Sequence, residues 1–142
     1  MAILSASDAD RVREMLAALA SPVRLAFFTQ SLNCETCPPT RQILEEVAVL
    51  SDKLTVEEHN FPLEGALARD LGIDRVPAIA VLGEQTDYGI RFFGMPSGYE
   101  FMSLLDAILL AGSGDSGLSE ESRALIAGLT EPLHLQVFVT PT

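Results

Sequence analysis

Cys34 and Cys37 stand three residues apart and are the two cysteines of a 142-residue chain. That spacing lets the sulfurs close a small disulfide ring or sit side by side as a dithiol. Pro38 and Pro39 follow, and they suit the opening turn of a helix, where a missing N–H costs little. Both sulfurs are therefore expected at the first turn of that helix. Cys34, at the N-terminus, would meet the positive end of the dipole and unpaired amides, which favour thiolate. Cys37, one turn in, would be sheltered. Such asymmetry suits exchange: the open thiolate attacks a disulfide and the inner cysteine resolves the mixed disulfide. Glu35 beside Cys34 opposes the helix end, so the expected nucleophile is mild, with a pKa nearer neutrality than acid. Three other readings stay open. Half of a zinc site would need further soft ligands, and His59 and His134 are singletons without metal spacing. A purely structural disulfide would close so tight a loop that little chain entropy is removed. Two inert cysteines at this spacing by chance are the third.

The segments around the pair decide among these. Val12, Met15, Leu16 and Leu19 recur at helical spacing behind Ser7-Asp8-Ala9-Asp10, which can cap a helix and place acid in its first turn. Pro22 stops that pattern, and Val23 to Thr29 reads as a buried strand. Gln30 to Glu35 is a polar loop holding Cys34. Ile43, Leu44, Val47 and Leu50 give the next helix its buried face. Leu54 to Phe61 is a strand, and Leu63, Leu67 and Leu71 make a short helix closed by Gly72 in the left-handed position. Ala78 to Leu82 is an apolar strand directly after Pro77, followed by a turn at Gly83 to Asp87 and a return strand over Tyr88 to Phe93. Ser97-Gly98-Tyr99-Glu100 matches a capping box, and Phe101, Leu104, Leu105, Ile108 and Leu109 form the most regular amphipathic stripe. Residues 112–117, glycine- and serine-rich, read as a flexible linker. The order is strand, helix, strand, helix, strand, strand, helix: a βαβ unit, a hairpin and a closing helix, which is a thioredoxin-like α/β arrangement. The mixed central sheet is expected to be flanked by helices, with an extra N-terminal helix and a C-terminal helix-strand extension. A CxxC between an apolar strand and a helix is the redox context.

Composition bounds the function classes. Nine Lys and Arg against twenty Asp and Glu give a formal charge of −11, which argues against nucleic-acid binding and against a polybasic membrane patch. Hydrophobic residues make up 48% of the chain, enough for a core. The stretch Phe101 to Ala111 is broken by Asp106 and falls short of a membrane span. The N-terminus lacks the basic head and apolar run of a signal peptide, so a cytoplasmic location is the expectation. His59 and His134 read as residues on strand faces. Tyr88 and Tyr99 read as packing residues. Arg91 either shapes the surface near the site or is a solvated strand arginine, and Met95 is a candidate apolar wall for substrate.

The first and last thirty residues also match in register. A shift of 110 positions sets Arg13 on Arg123, Ala17 on Ala127, Leu19 on Leu129, Pro22 on Pro132, Leu25 on Leu135 and Phe28 on Phe138. This predicts a thioredoxin-like unit over 1–111, a linker over 112–117, and over 118–142 the helix and first strand of an incomplete second unit, with the strand at 133–139. The chain would then be either an artificially shortened form or a natural fragment. The strand is expected to extend the sheet's edge or to pair with another copy, giving a homodimer.

The CxxC, the Val76-Pro77 dipeptide before the hairpin, and Ile90-Arg91-Phe92-Phe93-Gly94-Met95-Pro96-Ser97-Gly98-Tyr99-Glu100-Phe101 together resemble one family. It is the glutaredoxin-like protein disulfide oxidoreductases, built of two thioredoxin folds in tandem. The resemblance implies a cis Pro77 facing the sulfurs, whereas sequence alone suggests an ordinary trans proline at a strand start. It also implies a Val76 backbone that pairs with an incoming substrate strand, and Glu35 and Thr36 flanking the substrate between the catalytic Cys34 and Cys37. Protein disulfides would be the substrates. A flavin- and nicotinamide-dependent disulfide reductase would recharge the pair as a partner, with no metal and no bound organic cofactor. Two rivals remain: a non-catalytic interaction module, and an electron-relay domain of a peroxide-reducing system.

Overall fold

The computed structural model describes residues 1–140. Its elements are α1 (Ala6–Leu16), β1 (Val23–Thr29), α2 (Cys37–Ala48), β2 (Leu54–Asn60), α3 (Gly65–Asp70), β3 (Ala78–Leu82), β4 (Ile90–Phe93), α4 (Tyr99–Ser113) and α5 (Glu120–Ala127). Expectations at the last two residues lie outside the described residues.

β1 is apolar on both faces, and the sheet order β2-β1-β3-β4 puts it inside. It pairs in parallel with β2, which requires a crossover, and α2 supplies it. β3 runs antiparallel to both β1 and β4. Val23, Leu25 and Phe27 face one core with α1, the Leu44–Val47 side of α2, and Leu104, Leu105 and Ile108 of α4. Ala26 and Phe28 face the other, with Ala78, Ala80 and Leu82 of β3, Ala68 of α3, and Ile73. α2 is held at its flank as well as its face. Arg41 makes a two-pronged ion pair with Glu58 of β2, at 2.6 and 2.7 Å. Glu46 accepts the Ile3 and Leu4 amides of the N-terminal segment. Among the described residues no helix is long and apolar enough to cross a membrane.

Several local expectations are corrected. The N-cap of α1 is Ser5, which accepts the Asp8 N–H at 3.1 Å, two residues before the predicted start. The capping box at Ser97 does not form. The cap is Gly98 at φ 61°, where the chain turns through the left-handed region, so Ser97 falls outside the helix and bonds to Met95 instead. In α3 the buried residue is Ala68, while Leu63 and Leu67 are exposed. The helix begins only at Gly65, leaving Leu63 in a turn fastened to Asn60, and small Ala78 and Ala80 receive a small residue from above. Gly72 is left-handed as expected, at φ 70°.

The expected linker is partly helix. α4 runs to Ser113, past the 111/112 boundary, and Gly112 is buried in its last turn. Beyond it the chain is tied by hydrogen bonds rather than free. Asp115 accepts from Gly117 N–H at 3.0 Å and from the Arg123 guanidinium at 2.5 Å, and Arg123 also donates to the Leu118 carbonyl. The predicted strand at 133–139 does not form among the described residues, because nothing pairs with it, and its side chains are exposed.

Gly112 gives the first prediction. A Cβ there would lie 2.5 Å from Leu19 Cδ1 and 3.2 Å from the Ser21 carbonyl. Gly112→Val therefore overpacks the contact between α4 and the segment that joins α1 to β1, and is expected to lower stability by about 1–3 kcal/mol. Urea unfolding reads this as a lower midpoint, and an unchanged midpoint would mean the contact does not form in solution.

Candidate functional site

β1 delivers the reactive loop. After Thr29 the chain leaves the sheet through Gln30 to Asn33, where Gln30 Nε2 donates to the Leu32 carbonyl at 2.8 Å. Asn33 takes a left-handed φ of 56°, a conformation Asn tolerates better than most residues. Cys34 and Cys37 follow as a disulfide, with Cα atoms 5.4 Å apart. Cys37 is the first residue of α2 and is buried, whereas Cys34 is half-buried in the turn before it. Only one sulfur belongs to the helix, which corrects the expectation that both occupy its first turn. The bridge closes over a turn in which Cys37 N–H lies 3.4 Å from the Cys34 carbonyl. Glu35 and Thr36 are exposed between the sulfurs. Thr36 is the N-cap but makes no side-chain cap bond. Its carbonyl accepts twice from the buried Thr40, from the N–H at 3.1 Å and the hydroxyl at 2.7 Å.

The Val76–Pro77 peptide is cis, as the resemblance implies. β1 and β3 pair with Phe28 opposite Ala78, so carrying the register one residue further sets Pro77 opposite Thr29. The proline and the CxxC loop thus share one end of the sheet. Gly94 N–H donates to the Pro77 carbonyl at 2.9 Å. Met95, just beyond β4, is half-buried at that same end. Arg75, paired with Asp74, lies with its guanidinium carbon 5.4 Å from the centroid of the Phe93 ring. Arg91 fits neither of its expected readings. It is largely buried, donates to the Leu71 carbonyl at 2.8 Å and pairs with Asp87, so it staples β4 to the end of α3.

His59 lies on β2 as expected, stacked on Phe28 with ring centroids 5.1 Å apart and 2.9 Å from Glu64. His134 lies in the exposed segment that forms no strand, and Tyr99 is exposed on α4. No group of three or more His, Cys, Asp and Glu side chains that could hold a metal occurs among the described residues.

A groove of about 370 Å³ runs beside the reactive loop, between Leu32 and Asn33 on one side and Asn60, Pro62 and Leu63 on the other. Two of its polar groups are engaged: the Gln30 amide donates to the Leu32 carbonyl, and Asn60 Oδ1 accepts the Leu63 N–H. The apolar part of the wall is Leu32, Leu63 and Pro62. Sequence reading missed this groove. The signal available was a lone leucine in an otherwise polar loop, two residues before the first cysteine.

Comparison with known proteins agrees with this arrangement. No protein-family model matches the chain. Curated relatives are subunits of alkyl hydroperoxide reductase. That of Staphylococcus epidermidis is 29% identical over 102 residues, covering 72% of this chain and 18% of the relative. That of Escherichia coli is 33% identical over 87 residues, covering 61% and 14%. The chain therefore spans less than a fifth of the length of these relatives. Among solved structures, the NTD_N/C domain of the alkyl hydroperoxide reductase AhpF of Enterococcus faecalis superposes with a TM-score of 0.80 at 28% identity, over 90% of this chain and 62% of that one. A protein disulfide oxidoreductase of Aeropyrum pernix superposes at 0.79 with 24% identity, over 91% and 56%. The thioredoxin-like fold is borne out, and so is the resemblance to tandem thioredoxin-fold proteins.

Glu64 supplies a prediction about the wall of the groove. His59 and, after it, the Asn60 N–H hold its carboxyl below the ordinary glutamate value of 4.5. A depressed folded pKa adds stability above the unfolded pKa and loses it as pH falls through the folded one. Acidifying from neutrality to about pH 3 should therefore lower the wild-type Tm more steeply than that of Glu64→Gln. Parallel Tm profiles would contradict the bond.

Proposed function

We propose that this chain is a thiol–disulfide oxidoreductase unit in which Cys34 attacks and Cys37 resolves. The observation that carries the proposal is the unequal exposure of two bonded sulfurs, at the sheet end that also presents a cis proline. In the reduced state the Cys34 thiolate attacks one sulfur of a partner disulfide. The new Cys34–partner bond forms as the partner's S–S bond breaks, and one partner thiolate leaves. Cys37, having lost its proton, then attacks Cys34 and releases the second partner thiolate. The partner gains two electrons, and the chain is left with the Cys34–Cys37 disulfide seen here. Val76 offers backbone groups to an extended substrate segment, Pro77 keeps the approach to the sulfurs open, and Glu35 and Thr36 border it. The cysteine pair carries the electrons, so the step calls for no metal and no organic cofactor.

Before each new cycle the disulfide must be reduced again. A flavin-dependent disulfide reductase drawing on a nicotinamide is the partner suited to that, and a reducing compartment such as the cytoplasm suits the cycle. A second reading is favoured by one observation, the 27–35% identity to subunits of alkyl hydroperoxide reductase. On it the same pair relays electrons inside a peroxide-reducing system. We infer further that residues 118–140 open a second unit of the same kind. Leu19, Leu25 and Phe28 are 2%, 0% and 0% exposed, whereas their register partners Leu129, Leu135 and Phe138 are 55%, 80% and 90% exposed. Such residues match the core positions of a fold that the described residues do not complete.

Insulin reduction by dithiothreitol tests the assignment. The wild type should accelerate precipitation of the insulin B chain, and Cys34→Ser should fall back to the rate of the reagent alone. A wild type no faster than dithiothreitol would instead support a non-catalytic interaction module. Activity that appears only with a flavoprotein donor would support the relay.

A further inference from the structure

Buried polar side chains are scarce in this molecule: Thr29 and Thr40 are the two among the described residues. Thr40 is fully buried on α2, one turn beyond Cys37. Its hydroxyl donates to the Thr36 carbonyl at 2.7 Å, in addition to the ordinary helical bond from its N–H at 3.1 Å. A threonine inside a helix can make such a bond to the carbonyl four residues back, which by itself slightly destabilises or bends the helix. Here the accepting carbonyl matters, because it belongs to the peptide group that joins Thr36 to Cys37. The N–H of that same peptide points back into the turn, 3.4 Å from the Cys34 carbonyl.

The first turn of α2 is short of donors. A helix normally opens with several N–H groups that have no partner inside the helix and can serve an anion. In α2 the second and third residues are Pro38 and Pro39, which have no N–H. Of the three residues that open the helix, only Cys37 can donate. Within the helix its end therefore acts on Cys34 through the Cys37 N–H, with the Thr36 N–H at the cap the other donor of that end. A hydrogen bond accepted by a peptide carbonyl polarises the group and strengthens its N–H as a donor, by about 10–30% per bond in condensed phase.

We propose that Thr40 is a positioning residue for the nucleophile, its hydroxyl orienting and polarising the Thr36–Cys37 peptide so that the Cys37 N–H, which faces the Cys34 carbonyl in the disulfide form, is presented to the Cys34 thiolate once the bridge is reduced. The inference rests on Cys34 being the attacking sulfur, and it adds a residue that touches neither substrate nor sulfur. Glu35, exposed beside Cys34 and in no ion pair among the described residues, acts against the thiolate and is common to every variant below.

The test is a thiolate absorbance titration of Cys34 in a Cys37→Ser background, which keeps the backbone N–H in place. Thr40→Val, nearly the same shape without the hydroxyl, should raise the Cys34 pKa by about half a unit to one unit. At a pH well below the pKa that is a roughly threefold to tenfold smaller thiolate fraction, read also as slower alkylation by iodoacetamide. Thr40→Ser should restore the parent value. An unshifted titration in Thr40→Val overturns the proposal, as does an equal shift in Val and Ser variants. If Thr40→Val fails to fold, Thr40→Ala against Thr40→Ser makes the same comparison. No partner protein enters the titration. A wild type inactive on insulin would thus sink the oxidoreductase reading, whereas a flat titration would sink only the role of Thr40.

Discussion

The burial of β1 on both faces is the constraint from which the rest follows. Val23, Leu25 and Phe27 are sealed by α1, α2 and α4, and Ala26 and Phe28 by the α3 side. A strand covered on both faces suits the middle of a sheet with helices on either side, and β1 lies there between β2 and β3. Its C-terminal end is then fixed against β2 on one side and β3 on the other, and the loop that leaves it carries Cys34. Everything reactive is positioned by that exit: Cys37 by the helix that must cross back to β2, and Pro77 by the antiparallel register of β3 with β1.

Within that frame the two sulfurs are made unequal by a difference of a few residues. α2 starts at Cys37, so that sulfur enters the packed layer, while Cys34 stays in a turn with Glu35 and Thr36 open to solvent. The two prolines that follow do more than start a helix. They remove two of the donors that a helix end would otherwise offer, which leaves the Cys37 N–H, on the peptide held by Thr40, as the donor inside the first turn. An ion pair at the flank of α2, Arg41 with Glu58, ties this head of the helix to β2.

What could be read in the sequence divides along physical lines. β1 and β3 were legible to the residue, because runs buried on both faces leave no ambiguity of phase, and the α4 stripe was legible because fifteen residues repeat it. The CxxC pair was legible as chemistry. The cis state of Val76–Pro77 came only through family resemblance, since an X–Pro sequence permits both isomers. The misread features depend on facts that a residue pattern does not carry. Whether Ser97 caps a helix depends on the backbone at Gly98. Whether Leu63 or Ala68 is inside depends on the small side chains of another strand. Whether 133–139 is a strand depends on a neighbour, because extended backbone has no partner within itself. The groove at Leu32 was hidden for a related reason: two loops from different strands form it.

The account turns on Cys34 being the sulfur that meets the partner. Its most direct test is to mix reduced Cys37→Ser protein with a disulfide-bonded peptide and locate the trapped adduct by mass spectrometry. The account predicts a stable mixed disulfide on Cys34, released on adding dithiothreitol. An otherwise folded protein that forms no adduct, while Cys34→Ser traps the peptide on Cys37, would contradict it.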